Sequence, residues 1–188
     1  MSRESGSSRP LKLGVPAAWL GLAALFAAAD LALKALVEAR LATGQSIDFG
    51  VLTIRVGYNT GVAFSIGAGL PPWMVVVLTG AITTAVTVFL WLQASKRGHW
   101  LSLLGLSAVL GGAAGNFIDR LDGSGVVDYF HTGWFPTFNL ADVLITLGVI
   151  ALTLSTVMAD SRSPAPHHAI ENQDPKNPPS AHRPSEPT

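Results

Sequence analysis

Two aspartates in the second half of the chain have the neighbours that acid–base chemistry requires. Asp128 lies between Val126-Val127 and Tyr129-Phe130, and Asp142 stands at the start of a long apolar run. Apolar neighbours should desolvate the Asp128 carboxyl and raise its pKa, whereas a helix start should favour the ionised form of Asp142. Such a pair can take a proton from water with one group and donate one to a substrate carbonyl with the other. The two carboxyls would titrate as a coupled pair.

Two further charges lie within an apolar segment near the N-terminus. Asp30 and Lys34 are at i and i+4, the spacing at which an acid pairs with a base one helical turn later. In lipid, such charges need a partner or a place inside a helix bundle. We interpret the pair as a tether that fixes the end of a helix; a direct catalytic role is the alternative.

A third polar group precedes the two aspartates. Asn116, Asp119 and Arg120 are at i, i+3 and i+4, so they share one face if their helix continues for one more turn. Asn139 stands three residues before Asp142 and can cap a helix whose first turn contains that aspartate. Capping alone would explain Asp142, through a macrodipole interaction of about 0.3–1 kcal/mol. It leaves Asp128 unexplained.

The composition indicates that these residues are positioned inside a membrane protein. Of the 188 residues 49% are hydrophobic and 13% charged, and the mean hydropathy is +0.42, which is too apolar for an ordinary soluble domain. The absence of cysteine excludes disulfides, thiolate metal sites and a cysteine nucleophile. The formal net charge of zero gives no indication of a nucleic-acid partner.

Four apolar windows are long enough to cross about 30 Å of hydrocarbon. They lie near 14–35, 71–93, 99–118 and 141–159. Basic residues cluster before the first window, between the second and third, and after the fourth, at Arg3, Arg9, Lys12, Lys96, Arg97 and Arg162. The positive-inside rule then predicts that both termini are cytoplasmic. The loops 36–70 and 119–140, which contain most of the polar residues, would face outward.

The first outward loop contains a strand pattern. Leu52, Ile54 and Val56 alternate with Val51, Thr53 and Arg55, which predicts a short strand ended by Gly57 in a small outward-facing sheet. Asn59-Thr60-Gly61 is typical of a turn that leads back to the bilayer. On the third window, Gly111 and Gly115 predict close helix packing, which need not be dimerisation.

The chain divides into a cytoplasmic segment 1–13, a four-helix unit 14–159 and a tail 160–188. The tail is rich in Pro, Ser and charge, so it should be disordered. The first window also fits a secretory signal peptide with a cleavage site at Ala27-Ala28-Ala29. Helical apolar character continues past that site through "DLALKALVEARL", which favours a retained helix.

Five motifs in order resemble the bacterial lipoprotein signal peptidases, also called signal peptidase II. They are "DLALK" at 30–34, "NTGVAFSIG" at 59–67, "GGAAGNFIDRL" at 111–121, "VVDYF" at 126–130 and "FNLADV" at 138–143. Each motif alone is weak, but together they cover roughly residues 14–158. The resemblance implies a mainly α membrane protein with four transmembrane helices, cytoplasmic termini and a small extracytoplasmic β-containing cradle.

The resemblance also implies an aspartic endopeptidase and assigns its residues. By position in the motifs, the catalytic dyad falls on Asp128 and Asp142. The family's supporting polar residues fall on Asp30, Lys34, Asn59, Asn116, Asp119, Arg120 and Asn139. We interpret the three asparagines and Arg120 as groups that orient substrate and dyad, and Asp119 as a scaffold acid beside Arg120. Val143 departs from the family, which often has a small hydroxyl residue after the second aspartate.

The implied substrates are prolipoproteins that carry a diacylglyceryl group on a cysteine and are cut just before it. The enzyme would act from the bacterial cytoplasmic (inner) membrane, with its active site on the extracytoplasmic side and membrane lipid around it. No metal or other cofactor is expected, and a monomer would be sufficient because one chain supplies the whole site.

Two other interpretations remain open at the level of sequence. Lys34 with Ser65 could form a serine–lysine protease, since a partly buried lysine can act as a base. A small transporter or proton-conducting protein would also contain membrane acids. A transporter should place its acids along a path through the midplane, often between repeated halves, whereas the acids here cluster towards one side and no repeat is visible.

Overall fold

The computed structural model describes residues 14–41, 44–59 and 71–161. Four helices and three strands follow one another in the order α1 (Gly14–Arg40), β1 (Ser46–Asp48), β2 (Thr53–Asn59), α2 (Pro72–Ser95), α3 (Trp100–Leu121), β3 (Val126–His131) and α4 (Leu140–Asp160). The segment 1–13, almost all of the tail, and the Thr60–Gly67 part of the second motif lie outside the described residues. Ser65 of the serine–lysine alternative lies there as well.

All four helices are long and apolar enough to cross a membrane. Their bounds agree with the predicted windows to within a few residues, and the largest differences are extensions of α1 to Arg40 and of α3 to Leu121. The extra turns are amphipathic rather than apolar, so a hydropathy window does not include them. In α1, Val37 is buried against the sheet, while Glu38 accepts a hydrogen bond from Tyr58 at 2.8 Å.

The third helix is the centre of the bundle. It packs against α1, α2 and α4, and half of its apolar window is buried within the protein, compared with 11% for α2. The other apolar surfaces therefore have lipid as their solvent. Exposed tryptophans lie near helix ends, Trp73 at one side of the bundle and Trp91 and Trp100 at the other, where aromatic side chains are enriched at membrane interfaces.

Glycines allow α3 to approach its neighbours. A Cβ atom on Gly112 would overlap the carbonyl oxygen of Ala141 in α4, and one on Gly115 would overlap the Asp30 carboxyl in α1. Gly111 faces Phe26 and Ala23 of α1 in the same way. The glycine run thus serves packing within one chain, as its small residues predict.

Above one end of the bundle, the strands form an antiparallel sheet in the order β1-β2-β3. The prediction that Gly57 ends the strand is wrong, because β2 continues to Asn59 and Gly57 pairs with Asp128. The register shifts between Ile54 and Gly57, as a β-bulge does. Sequence analysis did not identify β1 and β3, although the β-branched and aromatic residues around Asp128 favour a strand.

The α3–α4 contact is testable at a position remote from the polar residues. A Cβ on Gly105 would lie 2.7 Å from the carbonyl oxygen of Gly148 and 3.1 Å from Leu152, so Gly105→Ala should lower the free energy of unfolding by about 1–3 kcal/mol through overpacking. Gly21→Ala is the matched control, because nothing lies within 4 Å of that position. Thermal unfolding in detergent measures both; equal melting temperatures would contradict the packing argument.

Candidate active site

The Asp128 carboxyl is held from both sides by amides. It is 4% exposed. Its Oδ1 accepts a hydrogen bond from Asn139 Nδ2 at 2.7 Å, and its Oδ2 accepts one from Asn59 Nδ2 at 3.1 Å. Asn59 pairs with Val126 across the β2–β3 ladder, so Asp128, two residues further along β3, is its diagonal neighbour on the same face. The register of the β2–β3 pair therefore fixes the position of the Asp128 carboxyl relative to Asn59.

The surroundings of Asp128 make its ionised form costly. Burial raises the pKa of the carboxyl to about 6, and the nearby charge of Asp142 acts in the same direction. The two amide hydrogen bonds and the Lys34 ammonium oppose this change without cancelling it. The apolar neighbours of Asp128 in the sequence predict a change of its pKa in this direction.

Asp142 is part of the cap of α4. Its backbone N–H donates to Asn139 Oδ1 at 3.0 Å, and its Oδ2 accepts from the Asn139 backbone N–H at 3.2 Å. This reciprocal pair is a capping box, as the spacing of the two residues predicts. The other oxygen, Oδ1, accepts from Asn116 Nδ2 at 3.0 Å. Asp142 is thus fixed by its own helix and by α3.

Two asparagines join the carboxyls to each other. Asn139 Nδ2, which binds Asp128, also donates to Asn116 Oδ1 at 3.1 Å. Asn116 in turn donates to Asp142. The two aspartates are therefore connected through side-chain amides from β3 to α4 and α3. Asn139 is completely buried, whereas Asn116 lines the cavity described below.

A charged cluster, formed by Asp30, Lys34 and Asp119, lies beneath these amides. The Lys34 ammonium is 2.7 Å from Asp30 Oδ2, 2.8 Å from Asp119 Oδ2 and 2.9 Å from Asn116 Oδ1. An ammonium has three N–H donors, and here three acceptors surround it. Lys34 is 2% exposed and Asp30 is 0% exposed, so the charges are paired inside the bundle as their position requires.

The charged cluster also binds the backbone of two other elements. Asp30 Oδ1 accepts from the Ala141 N–H at 2.9 Å, and Asp119 Oδ2 accepts from the Val127 N–H at 3.2 Å. These contacts support the tether interpretation, but the helix end that Asp30 holds is the start of α4 rather than the end of its own helix. Asp119 is paired with Lys34 and also interacts electrostatically with Arg120, its neighbour in sequence.

Arg120 occupies a different position from the charged cluster. Its Nη1 donates to the Asn116 carbonyl oxygen at 2.8 Å, and its cation interacts electrostatically with Asp142 and Asp128. The end of α3 thus presents Asn116 and Arg120 to the two aspartates and Asp119 to the charged cluster. The predicted extra turn, on which this placement depends, is present.

A cavity of about 500 Å³ opens beside the two aspartates. Its polar wall consists of Asn59, Asn116, Arg120, Asp128 and Asp142. Its other wall is mainly apolar, with Val126, Phe135, Pro136, Thr137, Phe138, Val143, Ile145, Thr146 and Leu147. Five of the nine expected site residues therefore share one cavity, and Asn139 with the charged cluster lies behind them.

Sequence analysis missed the apolar wall, apart from Val143. The signal that could have found part of it is the spacing of Val143, Thr146 and Leu147, which lie on one face of α4 in the turn after Asp142. Phe135 and Phe138 come from the irregular segment before α4, for which periodicity gives no signal. Among residues 14–41, 44–59 and 71–161, no group of three or more His, Asp or Glu side chains is placed to hold a metal ion.

The charged cluster can be tested through stability. Lys34→Met would leave two carboxylates buried without their cation, so we expect a loss of about 3–5 kcal/mol in the free energy of unfolding. Lys96→Met, at the exposed C-terminal end of α2, is the matched control and should change stability little. Adding Asp119→Asn to Lys34→Met should recover part of the loss. Thermal unfolding that is equal in both methionine variants would contradict the pairing.

The raised pKa of Asp128 predicts a pH dependence of stability. The folded state holds this proton up to about pH 6, whereas the unfolded carboxyl releases it near 3.8, so this group destabilises the fold as pH rises between those values. The contribution amounts to about 3 kcal/mol. Melting temperatures of wild type and Asp128→Asn, measured from pH 4 to 7, should differ in slope, with the steeper fall in wild type. Parallel curves would contradict this assignment.

Comparison with known proteins places the chain in a family. A family model described as Signal peptidase (SPase) II matches residues 22–158. A lipoprotein signal peptidase of Ectopseudomonas mendocina is 38% identical over 152 residues, which cover 76% of this chain and 89% of that protein. One from Pseudomonas aeruginosa is 33% identical over 159 residues, covering 79% and 93%.

Two solved structures have the same fold. A bacterial membrane enzyme determined by the in meso method at 2.3 Å resolution aligns with a TM-score of 0.66 and 25% identity, covering 79% of this chain and 93% of the other. A second, at 1.9 Å resolution, aligns with a TM-score of 0.62 and 26% identity, covering 75% and 93%. With four apolar helices, a three-stranded sheet and a family match over residues 22–158, this multi-pass membrane protein belongs to the signal peptidase II family of peptidases.

Proposed function

We propose that the protein is a lipoprotein signal peptidase of the aspartic type. It removes the signal peptide from diacylglyceryl-modified prolipoproteins by cutting just before the lipid-modified cysteine. Asp128 and Asp142 are its catalytic residues. The observation that carries the proposal is that both carboxyls, each held by amides, line one cavity with an apolar opposite wall.

Family membership supports the substrate class, since the relatives are lipoprotein signal peptidases. The cavity is compatible with such a substrate, because its polar wall can receive a peptide bond while Phe135, Val143 and Leu147 offer apolar surface. A substrate anchored in the same bilayer by acyl chains and a signal helix is already confined near the site. Confinement converts a bimolecular encounter into an oriented one.

In the proposed mechanism the two aspartates have opposite roles. Asp142 takes a proton from water as the oxygen attacks the scissile carbonyl carbon, and Asp128 donates its proton to the carbonyl oxygen. The C–N bond of the resulting tetrahedral intermediate then breaks. Asp142 transfers its proton to the leaving nitrogen, and Asp128 recovers its own from the intermediate's hydroxyl group. The pKa of about 6 at Asp128 suits a general acid near neutral pH, and no covalent enzyme intermediate forms.

The supporting residues hold this geometry. Asn59 and Asn139 orient Asp128, and Asn116 orients Asp142 through the contacts described above. Arg120 lies on the cavity wall and provides positive charge that stabilises partial negative charge on the carbonyl oxygen until Asp128 has protonated it. Lys34, Asp30 and Asp119 act from behind, as the scaffold of the amides. All of these groups come from one chain, so a monomer is sufficient, with residues 14–159 as the peptidase unit.

The site lies at the extracytoplasmic side of the bacterial cytoplasmic membrane, with both termini in the cytoplasm. The short turn with Lys96 and Arg97 joins α2 to α3 at the end opposite the aspartates, and the positive-inside rule assigns that end to the cytoplasm. The uninterrupted helix α1 through Ala27–Ala29 supports a retained first span rather than a cleaved signal peptide.

The two other interpretations receive less support. In a serine–lysine protease the lysine must give up its proton, but here the Lys34 ammonium lies between two carboxylates and an amide oxygen. In a transporter the acids should follow a path through the bundle. Within the part of the chain that the structure describes, the buried acids instead gather at the end of the bundle under the sheet.

The proposal is tested by cleavage of a diacylglyceryl-modified prolipoprotein by the purified protein in detergent. Asp128→Asn and Asp142→Asn should each lower kcat by on the order of 10³-fold or more, since each removes a proton-transfer group. A chelator should leave the wild-type rate unchanged. Asp48→Asn is the matched control, because Asp48 is an exposed acid of the same sheet. Near-normal cleavage by either active-site variant would refute the dyad; loss on chelation would point to a metal enzyme.

A further inference from the structure

The start of α4, which contains Asp142, is bound by side chains at three successive backbone N–H groups. Leu140 N–H donates to the hydroxyl of Tyr129 at 3.0 Å, Ala141 N–H to Asp30, and Asp142 N–H to Asn139. The first N–H groups of a helix have no partner within the helix, so these side chains supply the missing acceptors. One of the three acceptors, Tyr129, belongs to the strand that contains the other aspartate.

Tyr129 is placed to join the two halves of the site. It directly follows Asp128 in β3, its side chain is 0% exposed, and it is absent from the cavity wall. Its ring packs with the apolar residues between α1 and the sheet, including Val37 and Leu41. Burial raises the pKa of Tyr129 to about 12, so the hydroxyl remains neutral over the working range of the enzyme.

We propose that Tyr129 is a positioning residue that sets the separation of the two catalytic carboxyls, because its hydroxyl joins the strand of Asp128 to the first residue of the helix that contains Asp142. This inference rests on the proposed function of the dyad. The second direct link between the same elements, from Asn139 to Asp128, uses a group that touches a carboxyl. The hydrogen bond of the Tyr129 hydroxyl involves neither carboxyl. Its removal can therefore change the separation of the two carboxyls without changing their own hydrogen-bond partners.

Backbone hydrogen bonds do not fix the start of α4 relative to β3, so the hydrogen bond of the Tyr129 hydroxyl is a separate constraint on that distance. Phe130 and Phe138 exchange backbone hydrogen bonds, with Phe130 N–H donating at 2.8 Å and Phe138 N–H at 3.1 Å. This bridge brings the segment before α4 back to β3, but it ends two residues before the helix begins. From there, the direction of α4 relative to β3 depends on side chains. Removing the hydroxyl should therefore allow the helix start to move while the sheet stays in place.

The first test is Tyr129→Phe, which removes the hydroxyl and keeps the ring. We expect kcat for prolipoprotein cleavage to fall by about tenfold, since misplacement of reacting groups by less than 1 Å has effects of this order, while KM changes by less than about twofold. Carboxyls that are further apart are coupled less strongly, so the two apparent pKa values of the pair should differ by less. The acidic and basic limbs of the pH–rate profile should therefore move closer together. A residue needed only for stability would not move those limbs.

Tyr58→Phe is the matched control. The chain has two tyrosines, and the Tyr58 hydroxyl also makes one hydrogen bond, with Glu38 at 2.8 Å on the exposed side of the sheet. Its removal should leave both kcat and the pH–rate profile as in wild type.

A second variant removes the same bond from the donor side. Leu140→Pro deletes the N–H at the first helical position, where proline is well accepted, and Asn139 already has an extended backbone, φ −135° and ψ −177°, rather than the α conformation that a following proline disfavours. Leu140→Pro should reproduce the narrowed pH–rate profile. In that background, Tyr129→Phe should have almost no further effect on kcat, because the bond is already lost.

The outcomes separate this inference from the proposed function. If Asp128→Asn and Asp142→Asn abolish cleavage while Tyr129→Phe matches wild type in kcat and pH–rate profile, the positioning role of Tyr129 is refuted and the dyad stands. If the losses of kcat from Tyr129→Phe and Leu140→Pro multiply in the double variant, the two substitutions act independently, and the positioning role is also refuted. Cleavage that survives both asparagine substitutions refutes the dyad itself. If Tyr129→Phe fails to fold, the pH–rate profile of Leu140→Pro decides.

Discussion

One buried ammonium group determines how the helix ends under the sheet meet. Lys34 has acceptors for all three of its N–H bonds, on α1 and α3, and both Lys34 and its partner Asp30 are buried. Two of them, Asp30 and Asp119, bind the backbone of α4 and β3 with their remaining capacity. A single cation therefore orders four elements, and the asparagine that reaches Asp142 is its third partner.

The same arrangement gives the two aspartates different environments. Asp128 lies in a strand, is almost completely buried, and accepts hydrogen bonds from two side-chain amides. Asp142 lies at a helix start, where it forms a capping box with Asn139. In the proposed mechanism, identical side chains act as acid and base because they lie on different types of secondary structure. The apolar sequence neighbours of Asp128 predict the direction of its pKa change.

Much of the architecture could be predicted from the sequence because a membrane imposes it. Helix length and the cap of α4 by Asn139 follow from hydrocarbon thickness and local hydrogen-bonding capacity. The residues that bear polar groups were likewise identified, since polar groups near lipid are conspicuous. The structure brings them together but does not by itself assign their chemical roles.

What the sequence could not provide were contacts between distant elements. The hydrogen bond from Ala141 to Asp30 spans 111 residues, and no local pattern encodes it. The strands β1 and β3 are too short for a clear period, and the extension of β2 past Gly57 depends on pairing with Asp128. The contact of Tyr129 with α4 could not be predicted for a related reason. In the sequence, a tyrosine next to an aspartate in a strand does not differ from a tyrosine that only fills the hydrophobic core.

The two walls of the cavity differ in what they can tolerate. Asn59, Asn116 and Asp142 on the polar wall also hold the sheet and helix ends together, so a substitution there damages the fold as well as the site. Phe135 and Leu147 contribute apolar side chains to the other wall, and these can be exchanged for other apolar side chains of similar volume. Mutations that give resistance to an inhibitor bound in this cavity would therefore arise on the apolar wall. Resistance to a compound that binds mainly the polar wall would arise less readily.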